Sequence, residues 1–312
     1  MAVHACTESE NIECLAIGGA PDRRPRSEAN GEVDRVVAFY QEKTDKILRK
    51  YGRGTRVHFH VGIFPEGTRE PDPAESEESL RARLCASQDA LCEHLVRRWD
   101  VRRTFAGRVL DVGCGLGGGA IFWAQRAPAW VTAITITPGH PQIVEKLARR
   151  GGMGGRVQAL LADACRFQDE RPYDAAVALE SSCYLDRDAW FARLAGLIRP
   201  GGSVCIEDSF FVDPVWRAPF DAYWHTRIGS ESEYVRAAGA HGFELVDREN
   251  ATMRMAPFWR VSIAWNRAIL ANTQDPDERA RLVRSIDWHE HIHEAWCRGA
   301  VDCLLLRFRR AR

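Results

Sequence analysis

Apolar positions along this chain recur with two periods. From Val33 to about Lys50 ("VDRVVAFYQEKTDKILRK") they fall three and four apart, which predicts a helix, with Gly52 near its stop. "SLRARLCASQDALCEHLVRRW" repeats the pattern through Leu80, Leu84, Leu91 and Leu95. Between them "TRVHFHVGIF" reads as a short extended segment and "PEGTREPDPAESEE" as a polar loop. The centre then alternates short apolar runs with helical patterns. "RVLDVGCG", "VTAITIT", "RVQALLAD", "YDAAVALE" and "GSVCIED" predict strands. "GGAIFWAQRA", "PQIVEKLARRGG" and "DAWFARLAGLI" predict the helices among them. Such β-α-β alternation predicts a parallel, doubly wound α/β sheet. "SESEYVRAAGAHG" is a further helix with Ser230 as cap and Glu233 three residues on. "FELVDREN" and "VDCLLLRFRR" close the series as strands.

These patterns divide the chain into a tail over 1–30, which mixes charge, Gly and Pro without periodicity, a helical lid or substrate-binding segment over 31–104, and an α/β core over 105–312. Two insertions, at about 209–229 and 251–300, add helices and many aromatics to the lid.

Composition removes several classes. Lys+Arg and Asp+Glu are both 43, so the basic excess of a nucleic-acid binder is absent. No apolar run reaches the roughly 20 residues of a membrane-spanning helix, and no secretory leader pattern opens the chain. The 10 cysteines form no CxxC pair and no disulfide framework, which predicts a reducing, cytoplasmic setting.

The chemistry gathers at strand ends, where open α/β sheets bind their ligands. "LDVGCGLGGG" follows a strand and opens a helix, so its backbone can turn sharply against a ligand. Gly113-x-Gly115-x-x-Gly118 satisfies the dinucleotide pattern. Gly113-x-Gly115-x-Gly117, preceded by Asp111, instead resembles the first motif of Rossmann-like S-adenosylmethionine (SAM) methyltransferases. The downstream order of "LLADACRF" with Asp163, "YDAAVALE" and "LIRPGGSVCIED" resembles the later motifs of that superfamily. The resemblance implies a seven-stranded Rossmann-like methyltransferase sheet and a cofactor site at Asp111, Gly113, Cys114, Gly115, Gly117, Asp163 and Ala164.

One departure narrows the group. "VTAITIT" ends in Thr135 and Thr137, where an acid usually takes the ribose hydroxyls. A subgroup of carbon methyltransferases has a similar ending, and the upstream "FYQEKTDKILRKYGRGTRVHFHVGIF" looks like the lead-in of prenyl (geranyl or farnesyl) diphosphate C-methyltransferases. His58-Phe59-His60-Val61-Gly62 matches their His-x-His-x-Gly segment, Gln88 a recurring glutamine, and "LESSCYLD" their stretch bearing the base. Two positions depart: Cys85 stands where some relatives carry Glu, and His140 where Gln is common.

The resemblance implies transfer of a methyl group from SAM to an alkene carbon of a prenyl diphosphate in terpenoid biosynthesis, with cyclisation as an optional coupled step. Glu180 is the expected base, with Tyr184 orienting it or lining the pocket; the alternative is a carboxylate that binds the cofactor. Gln88, Thr135 and Thr137 join the expected cofactor site. Aromatic faces stabilise cations, and Phe220, Tyr223, Trp224 and Trp259 are the expected pocket walls. Tyr40, Tyr51, Arg53, Arg56, His58 and His60 are the expected remaining substrate contacts, with Lys46 and Lys50 as further basic candidates for a diphosphate. Mg2+ accompanying the diphosphate is implied by the resemblance alone; the sequence names no metal ligands. His289 and His293 stand four apart on a predicted helix but lack a third ligand, so a solvated or packed helix is favoured there. The expected partner is a small isoprenoid, not a nucleic acid or a membrane; a homo-oligomer is left open. Two other readings stay open: an N- or O-methyltransferase of another small natural product, and a non-catalytic SAM-fold binding protein.

Overall fold

The structure, a computed structural model, describes residues 31–52 and 54–312. The expected tail and Arg53 lie outside the described residues. A long first helix, α1 (Gly31–Tyr51), is followed by an extended stretch and by α2 (Glu77–Arg98), whose N-cap Ser76 side chain accepts from the Ser79 N–H. Then come α3 (Val101–Thr104), β1 (Gly107–Val112), α4 (Gly118–Arg126), β2 (Ala129–Thr135), α5 (His140–Arg150), β3 (Val157–Leu161) and β4 (Tyr173–Leu179). The chain continues through α6 (Arg187–Leu197), β5 (Ile198–Phe211), α7 (Arg217–Trp224), α8 (Glu231–Ala240) and β6 (Phe243–Asn250). It ends with α9 (Thr252–Met255), α10 (Pro257–Asn272), α11 (Pro276–Cys297) and β7 (Val301–Arg310).

The seven strands form one sheet in the order β3-β2-β1-β4-β5-β7-β6. The first five pair in parallel, and β7 runs antiparallel to both β5 and β6. Successive strand residues alternate between two cores, as the two-residue period of a strand requires. Val109, Val177, Cys205 and Leu305 face a core shared with α2, α4, α10 and α11. Leu110, Ala176, Ile206 and Leu306 face a second core with Trp190 and Phe191 of α6 and Tyr234 of α8. Both faces of the sheet are therefore covered, which explains why its central strands read as continuous apolar runs.

The expected cap of α8 is present as a full capping box between Ser230 and Glu233. One expectation shifts. Pro200-Gly201-Gly202 was expected to separate helix from strand, yet β5 already pairs at Ile198 with Tyr173. The Pro-Gly-Gly run forms an irregularity there, since Pro cannot donate to a ladder, and regular pairing resumes at Ser203 with Ala175. Among the described residues no helix is long and apolar enough to cross a membrane, and Cys85, Cys92, Cys114, Cys165, Cys183, Cys205, Cys297 and Cys303 are all unbridged.

Candidate functional site

Two cavities open at the carboxyl ends of the parallel strands and share a wall. The first, about 130 Å³, lies over the loop from β1 to α4. Asp111, Gly113, Cys114 and Gly115 line it, with Thr135 at the end of β2, Thr137 just past it and Ala164 beyond β3. The loop's backbone explains its glycines: Gly113, Gly115 and Gly117 all have positive φ, a region other residues enter only with strain. A Cβ on Gly113 would stand 2.5 Å from the Cβ of Ser181.

Two acceptors in this cavity are buried without a hydrogen-bond partner among the described residues: Asp111 Oδ2 and His140 Nδ1. His140 Nε2 donates to the Thr44 hydroxyl at 2.9 Å, because that hydroxyl itself donates to the Tyr40 carbonyl at 2.7 Å. His140 Nδ1 is thus a bare lone pair facing the cavity. Burial pushes the Asp111 carboxyl up to about 7 and the His140 imidazole down to about 4. Buried acceptors of this kind want donors, and the ammonium and hydroxyl groups of SAM are donors of that kind.

Three expected cofactor residues sit elsewhere. Gln88 lines the second cavity, and its Nε2 donates to the carbonyls of His58 and His60 at 3.4 and 2.7 Å. Asp163 turns its carboxylate onto the Cys165 N–H at 2.8 Å, so only its neighbours Ala162 and Ala164 reach the cavity. Gly117 is the left-handed N-cap of α4, packed on Val144. In each case a local backbone demand has claimed the residue.

The second cavity is larger, about 450 Å³. Its walls are Tyr51, Phe220, Tyr223, Trp224, Phe258 and Trp259, drawn from α1, α7 and α10. Trp288 of α11, which sequence reasoning passed over, stacks on Tyr223 at 4.6 Å and 16° and holds that wall. Of the other aromatics in the insertions, Phe210 is fully buried against Tyr234 and does not line the cavity.

One part of the lining is strongly basic: Lys43, Lys46 and Lys50 of α1, with Arg281 and Arg284 of α11. Spacings of three and four bring the lysines to one helical face. Burial, then the Arg281 charge, lowers Lys43 to about 7 and Lys50 to about 8. Arg281 is held by Glu278 at 2.6 Å. Arg56, expected here, is absent from the lining. It lies past the end of α1, where Asp89 of α2 takes its guanidinium at 3.1 Å. Lys43, Arg281 and Arg284 were missed, since a charge on an amphipathic helix reads as a solvated face until the helix's partner is known.

Tyr40, Phe59, His60, Glu180 and Tyr184 line both cavities. Glu180 follows β4 directly. Its backbone is left-handed, φ 43°, and its N–H donates to the Glu207 carbonyl at 2.8 Å. Its Oε1 accepts from the Val61 N–H at 2.9 Å. The Tyr40 and Tyr184 hydroxyls meet at 2.8 Å. Burial, reinforced by the charge of Asp208, pushes the Glu180 carboxyl up to about 8. Asp208 is itself held by the Ser182 hydroxyl at 2.6 Å and by the N–H groups of Cys183 and Ser209 at 2.8 and 2.9 Å. Glu207, fully buried beside it, accepts from the Cys303 thiol at 3.2 Å.

The segment that carries Val61 is pressed onto α2. A Cβ at Gly62 would meet the Gln88 nitrogen at 2.5 Å, which accounts for the glycine of the His-x-His-x-Gly segment. His58 lines the first cavity. His289 and His293 do not converge: His289 lines the second cavity against Ser262 at 3.2 Å, while His293 faces Cys297 at 3.6 Å.

Residues 109–202 match the family described as a methyltransferase domain. The chain is 29% identical over 177 residues to the methyltransferase GfsG of Streptomyces halstedii, covering 56% of this chain and 58% of that protein. It is 25% identical over 271 residues to geranyl diphosphate 2-C-methyltransferase of Streptomyces lasalocidi, covering 79% of this chain and 89% of the relative. Other relatives are O-methyltransferases, and the matched region spans less than two thirds of several of them. Among solved structures, geranyl diphosphate C-methyltransferase from Streptomyces coelicolor A3(2), in complex with Mg2+, geranyl-S-thiolodiphosphate and S-adenosyl-L-homocysteine, superposes with a TM-score of 0.75 at 19% identity. That match covers 92% of this chain and 100% of the other. The strand order and the glycine loop agree with the family match: residues 109–202 match a methyltransferase domain, set in a seven-stranded sheet of the fold that these solved structures share.

Proposed function

We propose that this protein transfers a methyl group from SAM to an alkene carbon of a prenyl diphosphate, with Glu180 as the base that ends the reaction. The observation that carries this reading is the position of Glu180: a half-buried carboxyl in the wall between a cofactor-sized cavity and an aromatic one. SAM supplies an electrophilic methyl group on a sulfonium. An alkene has no acidic heteroatom proton, so its π pair attacks that carbon, the C–S pair leaves with sulfur, and a tertiary carbocation remains. Tyr223, Trp224 and Trp259 line the cavity in which such a cation would form, and an aromatic face beside a cation contributes roughly 0.5 to 2 kcal/mol. The Glu180 carboxylate then takes a proton from the neighbouring carbon, and that C–H pair closes the new alkene. The Val61 N–H holds the carboxylate in place for this transfer.

The basic part of the cavity supports an anionic substrate. Lys43 and Lys50 are half-buried near Arg281, and a diphosphate relieves their mutual repulsion through charge-assisted hydrogen bonds. Glu42 is the carboxylate that joins the lining on the same helix face. A Mg2+ ion accompanying the diphosphate would meet Glu42 there and would supply charge neutralisation for the phosphates.

Incubation with SAM, Mg2+ and geranyl or farnesyl diphosphate is expected to yield a product heavier by one methylene, with the new carbon on the prenyl chain by NMR. Absence of that product, together with methylation of a hydroxylated acceptor on oxygen, would replace this reading by the O-methyltransferase one that other relatives support. Within the proposal, Lys50→Gln and Arg281→Gln each raise KM for the prenyl diphosphate by about ten- to a hundredfold, the 1.5 to 3 kcal/mol of a hydrogen bond to a charged group. KM for SAM stays unchanged. Equal KM values for both substrates in wild type and variants would show the basic lining to be idle.

A further inference from the structure

In the wall of the first cavity, two imidazoles converge with a thiol from the interior behind them. His58 and His60 come from the extended segment, and Cys92 from α2; they are 6%, 7% and 0% exposed. His60 Nε2 lies 3.1 Å from His58 Nδ1, and Cys92 Sγ lies 3.8 and 4.0 Å from these two nitrogens.

The outer nitrogens decide what the inner ones are. His60 Nδ1 stands 2.8 Å from the Val61 carbonyl, which can only accept, so that nitrogen carries the proton and Nε2 is a bare lone pair. His58 Nε2 faces the Asp89 carboxylate at 3.5 Å, which favours the proton on that nitrogen and leaves Nδ1 bare as well. Two lone pairs 3.1 Å apart repel unless a positive centre lies between them. A proton could serve, with His58 in its Nδ1–H tautomer, but it would need no third donor. Cys92 Sγ completes a triangle instead. Tetrahedral Zn2+, with bonds of about 2.0 Å to nitrogen and 2.3 Å to sulfur, places its donors roughly 3.3 to 3.6 Å apart. The observed spacings bracket that range. The outer contacts also match the orienting partners of metal-bound imidazoles, a carboxylate for one ring and a backbone carbonyl for the other.

We propose that His58, His60 and Cys92 bind a borderline-soft d10 cation, Zn2+ foremost. The donor set of two imidazoles and one thiolate selects such an ion over Mg2+ or Ca2+. Binding displaces the Cys92 thiol proton to solvent, so the ion meets a thiolate and two neutral imidazoles. Three protein donors would leave the fourth tetrahedral position to water; the role we assign to the ion is to hold the backbone. It ties the extended segment to α2 and thereby fixes Val61, whose N–H holds Glu180 at 2.9 Å.

The test uses the full chain, stripped with a chelator and titrated with Co2+ and Zn2+. One equivalent of Co2+ is expected to give the intense near-ultraviolet band of a thiolate–cobalt bond and the visible bands of a tetrahedral ion, and Zn2+ to displace it. Cys92→Ala is expected to lose the thiolate band and to weaken Zn2+ binding at least tenfold. Cys297→Ser, which removes the exposed cysteine beside His293, should leave both unchanged. Should Cys92→Ala fail to fold, the wild-type spectrum decides alone. A folded wild-type chain that shows no thiolate–cobalt band, or a band that survives in Cys92→Ala and vanishes in Cys297→Ser, overturns the proposal and leaves the proton as the centre between the rings.

Discussion

Glu180→Gln lowers methylation turnover by about 10²- to 10⁴-fold, the usual contribution of a positioned base. Glutamine keeps the shape of the side chain, and its amide oxygen still accepts from the Val61 N–H. The left-handed backbone at φ 43° is untouched. What disappears is the site that takes the proton. SAM binding, measured by titration, should change less than a few-fold, because the glycine loop and Asp111 are intact. A variant that turns over normally sends the proton elsewhere; one that binds SAM poorly makes the carboxylate a cofactor ligand instead.

The same residue governs pH dependence. With its carboxyl near 8 in the unliganded protein, Glu180 is largely protonated at neutral pH. Only the carboxylate accepts a proton, so turnover rises with pH through this group. Its midpoint in the cofactor complex lies below about 8, since a sulfonium nearby favours the anion. Glu180→Gln loses that limb of the profile. Stability runs the other way. Folding raises the group from its ordinary 4.5 to about 8. The stability linked to holding that proton is full below about 4.5 and is lost as pH rises through about 8. Melting of the unliganded wild type at several pH values, set against Glu180→Gln, isolates this contribution.

Gly115→Val abolishes SAM binding, by at least a hundredfold in Kd, while the fold survives. Gly115 lines the first cavity, and a Cβ there meets no atom of the chain within 4 Å. Its φ is 52°, where a β-branched residue is a strained outlier. The valine therefore either projects into the cavity or pulls the loop out of its turn. Both remove the backbone approach on which the ligand depends, and neither disturbs the cores. Gly113→Val is the contrasting variant: its side chain collides with Ser181, so stability falls together with binding. Unchanged SAM affinity in Gly115→Val would remove the loop from the cofactor site.

Sheet, strand order class and glycine loop were legible because each rests on short-range pattern: apolar runs, glycine spacing and caps. Glu180 was legible for the same reason, as the residue at which one such run stops. Pairings between distant helices were not. Lys43 and Arg281 are more than two hundred residues apart in sequence, and either alone reads as solvated; that both line one cavity appears only once α1 and α11 are packed together. Arg56 failed in the opposite direction, because proximity in sequence to the His segment said nothing about Asp89. For Gln88 and Asp163 the spacing of motifs told where they lie along the chain but not where their polar atoms turn, since nearby backbone groups take those atoms.

The place of β7 between β5 and β6 has a consequence for how the polypeptide is made. β5 is complete at Phe211, but its neighbour on one side begins only at Val301. At roughly 5 to 20 residues per second, about 90 further residues take several seconds or more to synthesise. Throughout that interval one edge of β5, Val204 and Ile206 included, is an open template for other chains. Nascent protein is therefore exposed to self-pairing late in translation. A stop codon just before Val301 would yield an open-edged, aggregating sheet, because the final ten-residue strand is the one that seals the interior.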